Sequence, residues 1–501
     1  MEGTRKYLLN RVITWATNES EQKGEGNTFW IYGLPGIGKT SFAHSICASL
    51  HEEEQLAGAF FCRRDDPELS EARNIFPTLI HKLAIIFPPF RSIVAERLRK
   101  DPNLTPESMK HTLFLDLIRK ISRLPQRNLT FVIDALDECG NTQSRPSILR
   151  ALTDAATDAP WLKIIITSRP EADIQHFFTS STQSSHLRYD LTADLETTSD
   201  LRIFAQARFN TVALGQCIRS PWPDQLLFDA AISQAAGLFI FIETIALALE
   251  NCDDPTEYLK ATLQDSSGTS LTSLYKLYSS ILGRRRVRNN TDFQRMIGVL
   301  LAAAPYRALH DETIAELAGI RPNLVEMWVA DLSSLLYRDE GTNGGLRVRH
   351  LSISDFFLSD ECHSDYHVDL GDANAHLGIA CLKIMVEQLR FNICKLEDSR
   401  LANADVHDLA SRIKENISDA LQYSSVYWSN HVCFDPDHCD WESLNRFFEG
   451  PYALFWIEVL SIMGMVAISV PSLRRVRSTV VQVSRALACR SLGFKFKSNL
   501  V

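Results

Sequence analysis

Short apolar runs alternate with amphipathic stretches through the first 195 residues. The runs at 29–32, 57–62, 129–134 and 162–167 are almost continuously hydrophobic, which predicts strands buried on both faces. A weaker run at 187–191 suits one more strand. Between them, apolar positions recur at helical spacing over 3–18, 40–50, 71–99, 110–124 and 147–157. Strands alternating with helices predict a parallel sheet covered by helices on both faces. Ligands of such sheets sit at the carboxyl ends of the strands, where the loops after Tyr32, Asp134 and Thr167 would converge.

From about residue 196 the strand signal nearly vanishes. Helical patterns occupy 196–209, 224–236, 238–250, 255–263, 271–282 and 293–303. Residues 308–337 read as helix–turn–helix, and a polar turn at 339–345 followed by Leu346-Arg347-Val348 reads as a short wing. Helices resume at 373–391, 404–422 and 442–449, and again through the 450s to 480s. No repeat of 20–50 residues recurs, so solenoids and propellers have no support. The longest apolar stretch, 453–470, almost reaches the ~20 residues of a membrane span. Phe455, Val459, Met463, Val466 and Val470 fall on one helical stripe, however, and Glu458 would be costly in lipid, so a packed helix is expected instead.

Composition changes this picture little. The 501 residues are 45% hydrophobic and 23% charged, ordinary globular material for two to four domains. A net charge of −9 argues against a dedicated nucleic-acid binder, and no specific nucleic acid is expected as partner. Eleven cysteines lie scattered without a C-x-x-C, and the N-terminus has no secretory apolar core. The expected location is therefore intracellular, in the cytoplasm. After Glu458 the chain has no acidic residue but carries Arg474, Arg475, Arg477, Arg485, Arg490, Lys495 and Lys497; a solvated helical face accounts for these, with lipid or nucleic-acid contact as the alternative. His431, Cys433, His438 and Cys439 offer zinc ligand types, but their spacing is too compressed for the usual site and a polar loop is expected.

The chemistry concentrates in three places. Phe29-Trp30-Ile31-Tyr32 runs into Gly33-Leu34-Pro35-Gly36-Ile37-Gly38-Lys39-Thr40-Ser41, a G-x-x-x-x-G-K-T phosphate-binding loop between strand and helix. Its glycines let backbone N–H groups turn toward phosphate oxygens, and the following helix aims its positive end at the same anion. Lys39 would reach the β- and γ-phosphates and Thr40 would help hold Mg²⁺. Phe131-Val132-Ile133-Asp134-Ala135-Leu136-Asp137-Glu138 then delivers Asp134 as a second metal ligand, with Asp137 and Glu138 placed to orient or deprotonate an attacking water. A solvated turn is the alternative for the acidic run taken alone. Ile164-Ile165-Ile166-Thr167-Ser168-Arg169-Pro170 ends a core strand with an arginine that can sense the γ-phosphate, or else is a plain surface residue.

These three motifs together resemble a NACHT domain of the STAND class of signalling P-loop ATPases, the group that includes animal NOD-like receptors and their innate-immunity roles. Ala135 after the first Asp, and the acidic pair two residues on, are the NACHT-like features. More closely, the chain is similar to fungal heterokaryon-incompatibility proteins, related to nephrocystin-3-like N-terminal regions. Gly3-Thr4-Arg5, Gly237-Leu238-Phe239-Ile240-Phe241-Ile242, Leu274-Tyr275-Lys276-Leu277-Tyr278 and His350-Leu351-Ser352-Ile353-Ser354-Asp355-Phe356 support this across residues 3–470. The resemblance implies ATP/ADP and Mg²⁺ as ligands. Phosphate contacts would come from Gly33, Pro35, Gly36, Ile37, Gly38, Lys39, Thr40 and Ser41, and metal support from Thr40 and Asp134. It further implies catalysis by Asp137 or Glu138 with Arg169 as sensor, and resembles in His350 a histidine that contacts bound ADP; a purely structural His350 is the alternative.

The expected fold is an α/β P-loop NTPase followed by an all-α region with a winged-helix-like domain. The boundaries read as 1–27 helix and linker, 28–195 NTPase core, 196–290 helical domain, 291–365 winged-helix-like domain and 366–501 helical region. The expected function is a nucleotide-operated switch: ADP keeps it closed through Lys39, Arg169 and His350, ATP permits homo-oligomerisation, and slow hydrolysis resets it. A turnover motor and a non-hydrolysing scaffold are the alternatives. The resemblance leads to the expectation of an N-terminal effector and a C-terminal sensor array. Only about 25 residues precede the first strand and no repeat array follows the helices, which fits a truncated gene product, a reduced paralogue, or one half of a two-component system with a protein effector or sensor partner. A membrane partner is not expected.

Overall fold

Near-continuous hydrophobicity in the predicted strands has a direct structural cause: both faces of the sheet are covered. A computed structural model describes residues 3–17, 26–101, 111–123, 127–180, 186–264, 270–284, 287, 290–342, 344–398, 401–432 and 441–477. The chain divides into two compact units, Met1–Ile281 with His350–Ile353, and Leu282–Arg349 with Ser354–Val501.

The first unit begins with α1 (Lys6–Thr17), β1 (Thr28–Tyr32), α2 (Lys39–Glu52), β2 (Leu56–Phe61), α3 (Ile75–Ile86), α4 (Pro88–Lys100), α5 (His111–Lys120) and β3 (Leu129–Asp134). It continues through α6 (Arg145–Asp158), β4 (Leu162–Ser168), α7 (Ala172–Ser180) and β5 (Leu187–Asp190) to the helices α8 (Thr197–Gly215), α9 (Gln225–Ala235), α10 (Phe239–Glu250), α11 (Pro255–Leu263) and α12 (Ser270–Arg284). All five strands are parallel, in the order β2-β3-β4-β1-β5. From β1 the chain crosses to the far edge at β2, whereas from β4 it passes over β1 to reach β5. Connections thus leave in opposite directions around β1 and β4, which opens a crevice at their carboxyl ends.

Period-2 alternation sorts the strand side chains between two layers. Trp30, Phe131, Ile133, Ile164 and Ile166 share a core with Leu79, Leu117, Leu149 and Ile174 from α3, α5, α6 and α7. Phe29, Ile31, Val132 and Ile165 face the other way, where Trp15 of α1 meets Phe29 edge-on at 5.4 Å between ring centroids. None of these strand residues is more than 1% exposed.

The second unit holds α13 (Thr291–Ala303), α14 (Asp311–Ala318), α15 (Pro322–Asp331), β6 (Leu336–Asp339) and β7 (Gly345–Val348). It then runs, from α16 (Leu351–Phe357) onward, through α17 (Leu370–Gln388), α18 (Leu409–Asn416), α19 (Asp419–His431), α20 (Trp441–Glu449) and α21 (Tyr452–Ile462). The hairpin expected after the helix–turn–helix is β6 paired antiparallel with β7, and Leu346 also bridges to Leu309. Helices α17 and α19 pack so closely that a Cβ on Gly378 would lie 2.5 Å from the carbonyl oxygen of His431. His431 pairs through Nε2 with the Tyr423 hydroxyl at 2.7 Å and through Nδ1 with Asn374 Oδ1 at 2.8 Å. Both ring nitrogens are engaged in packing; Cys433, His438 and Cys439 lie outside the described residues, as do the basic residues beyond Arg477.

Three helix expectations change. The long helical region over 71–99 is broken at Phe87, extended at φ −122°, ψ 92°, with Pro88 and Pro89 opening α4. Proline disfavours helical backbone at the residue before it and lacks an N–H, yet suits a first turn. The helix over 404–422 divides at Ser418, whose hydroxyl accepts from the Leu421 N–H at 3.0 Å as the cap of α19. The apolar stretch 453–470 is interrupted after Ile462, where Gly464 at φ +72° turns the chain, and helical turns resume at Val466. Trp456, Val459 and Leu460 are the buried face there, while Val466 and Val470 are exposed. No helix among the described residues is long and apolar enough to cross a membrane.

Candidate functional site

The crevice begins where β1 ends. Residues 33–38 turn from Tyr32 into α2, with Gly36 at φ +79° and Gly38 at φ +95°, conformations that side-chain-bearing residues avoid. Gly33 is crowded for a different reason: a Cβ there would meet Ile37, Leu191 and Thr192 at 3.2 Å each. Thr192 also accepts through its hydroxyl from the Leu34 N–H at 3.3 Å. Pro35 and the buried Ile37 complete the turn, and Ser41 faces outward in the first turn of α2. No side chain caps α2, so its leading N–H groups are left to an anion. The Lys39 ammonium donates to the carbonyls of Gly33 at 2.8 Å and Leu34 at 3.0 Å. Burial pushes its pKa down to about 8, with the Asp137 charge pulling the other way.

Strand β3 brings the acidic motif to the same place. Asp134 is 1% exposed, and its Oδ1 accepts from the Thr167 hydroxyl, whose oxygen accepts in turn from the Ala135 N–H at 3.0 Å. Burial raises the Asp134 carboxyl, opposed by hydrogen bonds from Thr167 and Thr40 and by the charge of Lys39. Ala135 stands in the left-handed region at φ +56°, and the chain then coils tightly through Leu136–Glu138. Asp137 accepts from the Arg169 N–H at 2.9 Å and faces the guanidinium Nε at 3.3 Å. Glu138 accepts from the Arg64 N–H at 3.3 Å; burial, then the charge of Asp137, pushes its carboxyl up to about 7.

Residues from far along the chain close over the loop. Ile240, in the first turn of α10, donates its N–H to the Gly36 carbonyl at 3.2 Å. A Cβ on Gly36 would come within 2.1 Å of Ile240 Cγ2 and 3.9 Å of His350 Cε1. His350 Nδ1 lies 3.1 Å from the Ser352 N–H and 2.7 Å from its hydroxyl. Burial pushes the imidazole down to about 3, and repulsion from Arg169 and Lys39 adds to it.

Every site residue named from sequence thus gathers around one crevice of the first unit. Residues not named for a role there are Thr167, Thr192, Ile240 and Arg5. Arg5 is 3% exposed; its Nη2 donates to the Ile37 carbonyl at 2.8 Å, its N–H to Asp200 at 2.9 Å, and its guanidinium faces Asp194 at 3.5 Å and lies 5.6 Å from the Phe239 ring centre. Gly3-Thr4-Arg5 was visible only as a fragment of the family resemblance. The donor set fits a nucleotide with a divalent cation: an ammonium, uncapped helix N–H groups, and a hydroxyl–carboxylate pair of the hard oxygen type that Mg²⁺ takes.

Residues 3–169 match the family described as Nephrocystin 3, N-terminal. Over 99% of its length the chain is 24% identical to the vegetative incompatibility protein HET-E-1 of Podospora anserina, and it spans 38% of that relative. Among solved structures it is similar to a STAND signal-transduction ATPase with a tetratricopeptide repeat sensor from Pyrococcus horikoshii, at 14% identity, 96% of this chain, 64% of that one and a TM-score of 0.39. A Walker-type ATPase of Pyrococcus abyssi matches at 13% identity, 66% of this chain, 91% of that one and a TM-score of 0.31. The chain is thus similar to the nephrocystin-3 N-terminal family over residues 3–169 and to a fungal incompatibility protein over nearly its whole length.

Proposed function

We propose that this chain is an ATP/ADP-binding signalling switch of the NACHT/STAND class, hydrolysing slowly and assembling with copies of itself when ATP is bound. One observation supports this above the others: Lys39, Asp134, Asp137, Glu138, Arg169 and His350, from separate segments, form one electrostatic neighbourhood around the phosphate loop. In this reading Lys39 and the first N–H groups of α2 bind the phosphates. Thr40 and Asp134 hold Mg²⁺, which when bound supplies charge neutralisation at the phosphate oxygens. Glu138 takes the proton of an attacking water, and Arg169 exchanges Asp137 for the γ-phosphate. His350 donates to the phosphates of the resting, ADP-bound state. ADP and ATP shift the balance only through contacts that differ between them, which Arg169 and His350 provide. The likeness to HET-E-1 extends the proposal to a non-self response of the heterokaryon-incompatibility kind, with partners that read the assembled state.

Titration calorimetry tests the reading: Lys39→Ala abolishes ATP and ADP binding, and retained affinity overturns it. The wild-type protein should co-purify with ADP, gain mass in solution with ATP, and turn over about once per minute or more slowly. A sustained rate of about 1 s⁻¹ marks a motor instead.

A further inference from the structure

His350 reaches the phosphate loop with its ring already committed at one nitrogen. The Ser352 backbone N–H points at Nδ1 from 3.1 Å, so Nδ1 must present a lone pair there. The Ser352 hydroxyl, 2.7 Å from the same nitrogen, then donates to it as well. That leaves the Ser352 oxygen as acceptor for the hydroxyl of Tyr278, 2.8 Å away. Ser352 and Tyr278 are both fully buried, so water does not compete with either bond. The direction of the whole chain, Tyr278 to Ser352 to Nδ1, follows from a single backbone N–H, and it places the one ring proton of neutral His350 on Nε2.

We propose that Tyr278 and Ser352 are positioning residues that lock His350 as the Nε2–H tautomer, making it an obligate donor to a phosphate oxygen and a determinant of affinity for a nucleoside diphosphate. This rests on the phosphate-site reading above. A donor of fixed direction favours an anionic oxygen, whereas a histidine free to change tautomer would spend part of its population as an acceptor facing the same oxygen.

The test uses the full chain with ¹⁵N-labelled histidine, His350 being assigned by its loss in His350→Gln. Wild type should show a protonated Nε2 and an unprotonated Nδ1. Ser352→Ala and Tyr278→Phe keep the Ser352 backbone N–H and with it the Nε2–H tautomer, but they loosen the hydroxyl contact that fixes the ring, so ADP binding should weaken by about tenfold or less, with Ser352→Thr restoring it. In a His350→Gln background the same two substitutions should leave ADP affinity unchanged, which a merely structural role would not. Undiminished ADP affinity in Tyr278→Phe, with Lys39→Ala and His350→Gln still impaired, or a protonated Nδ1 in the wild type, overturns the relay alone. Undiminished ADP affinity in Lys39→Ala overturns the phosphate-site reading beneath it.

Discussion

Arg169 holds Asp137 twice, through its backbone N–H at 2.9 Å and its guanidinium Nε at 3.3 Å, and the Asp137 side chain is only 2% exposed. The pair joins the end of β4 to the turn after β3, so Arg169 and the acidic motif are mechanically one unit. Truncating Arg169 to Ala strands a buried carboxylate with only its backbone donor, at a cost of about 3 kcal/mol. Truncating Asp137 as well removes the stranded charge. Denaturant unfolding of the two single variants and the double should therefore give a coupling energy of about 1 kcal/mol or more. Additive effects would show that the ion pair contributes nothing.

Glu138 gives the site a signature in pH. Its folded pKa is about 7 against 4.5 for the free side chain. Between those values the folded protein keeps a proton that the unfolded chain has released, so this group's contribution to stability falls as pH rises from 4.5 to 7. His350 and His431, both pushed down to about 3 from 6.5, contribute in the opposite sense over 3 to 6.5. Only a difference curve isolates Glu138. Glu138→Gln should match wild type near pH 4 and exceed it by about 1–2 kcal/mol at pH 7.5, a figure discounted because the side chain is only partly buried. A difference that stays flat with pH would place the carboxyl in its ordinary range.

What sequence alone could read here depended on how local the determinant was. The strands were legible because a residue such as Ile165 or Val132 is apolar in a run that is apolar on both sides, and two covered faces leave no other reading. Lys39 and Asp134 were legible because their chemistry requires neighbours at fixed offsets. Phe87 ended a helix in plain sight, since Pro88 and Pro89 follow it; helical periodicity across the break masked them. Arg5 was illegible in any local sense: its partner Asp200 is 195 residues away, and only the folded chain brings Asp200 and Ile37 to it. Thr167 depends likewise on β3 pairing with β4 in one register, which no spacing in the chain announces.

Gly36 carries two constraints that substitution separates. Its φ of +79° penalises any side chain by about 1–2 kcal/mol. A Cβ would also sit 2.1 Å from Ile240 Cγ2, far inside contact distance. Gly36→Ala should therefore lower both the unfolding temperature and nucleotide affinity. Adding Ile240→Ala should recover part of the loss by removing the clash, leaving the backbone strain. No recovery in the double variant would mean that α10 already yields and that strain alone sets the cost.

Thr167 ties the Asp134 carboxylate, proposed above to support Mg²⁺, to the turn behind it, donating to Asp134 and accepting from the Ala135 N–H. Thr167→Val keeps the shape and removes both bonds. Asp134, already raised by burial, then loses the first of the hydrogen bonds that hold it down, so its protonated fraction increases. Only the ionised carboxylate supports Mg²⁺, so the variant should lose about tenfold in ATP affinity with Mg²⁺ present, and lose more at pH 6 than at pH 8. Binding measured in EDTA should change far less, because Lys39 and the α2 N–H groups hold phosphate without the metal. Thr167→Ser, which keeps the hydroxyl, should behave as wild type. An equal loss with and without Mg²⁺ would make Thr167 a strut of the β3–β4 junction and not a support for the metal.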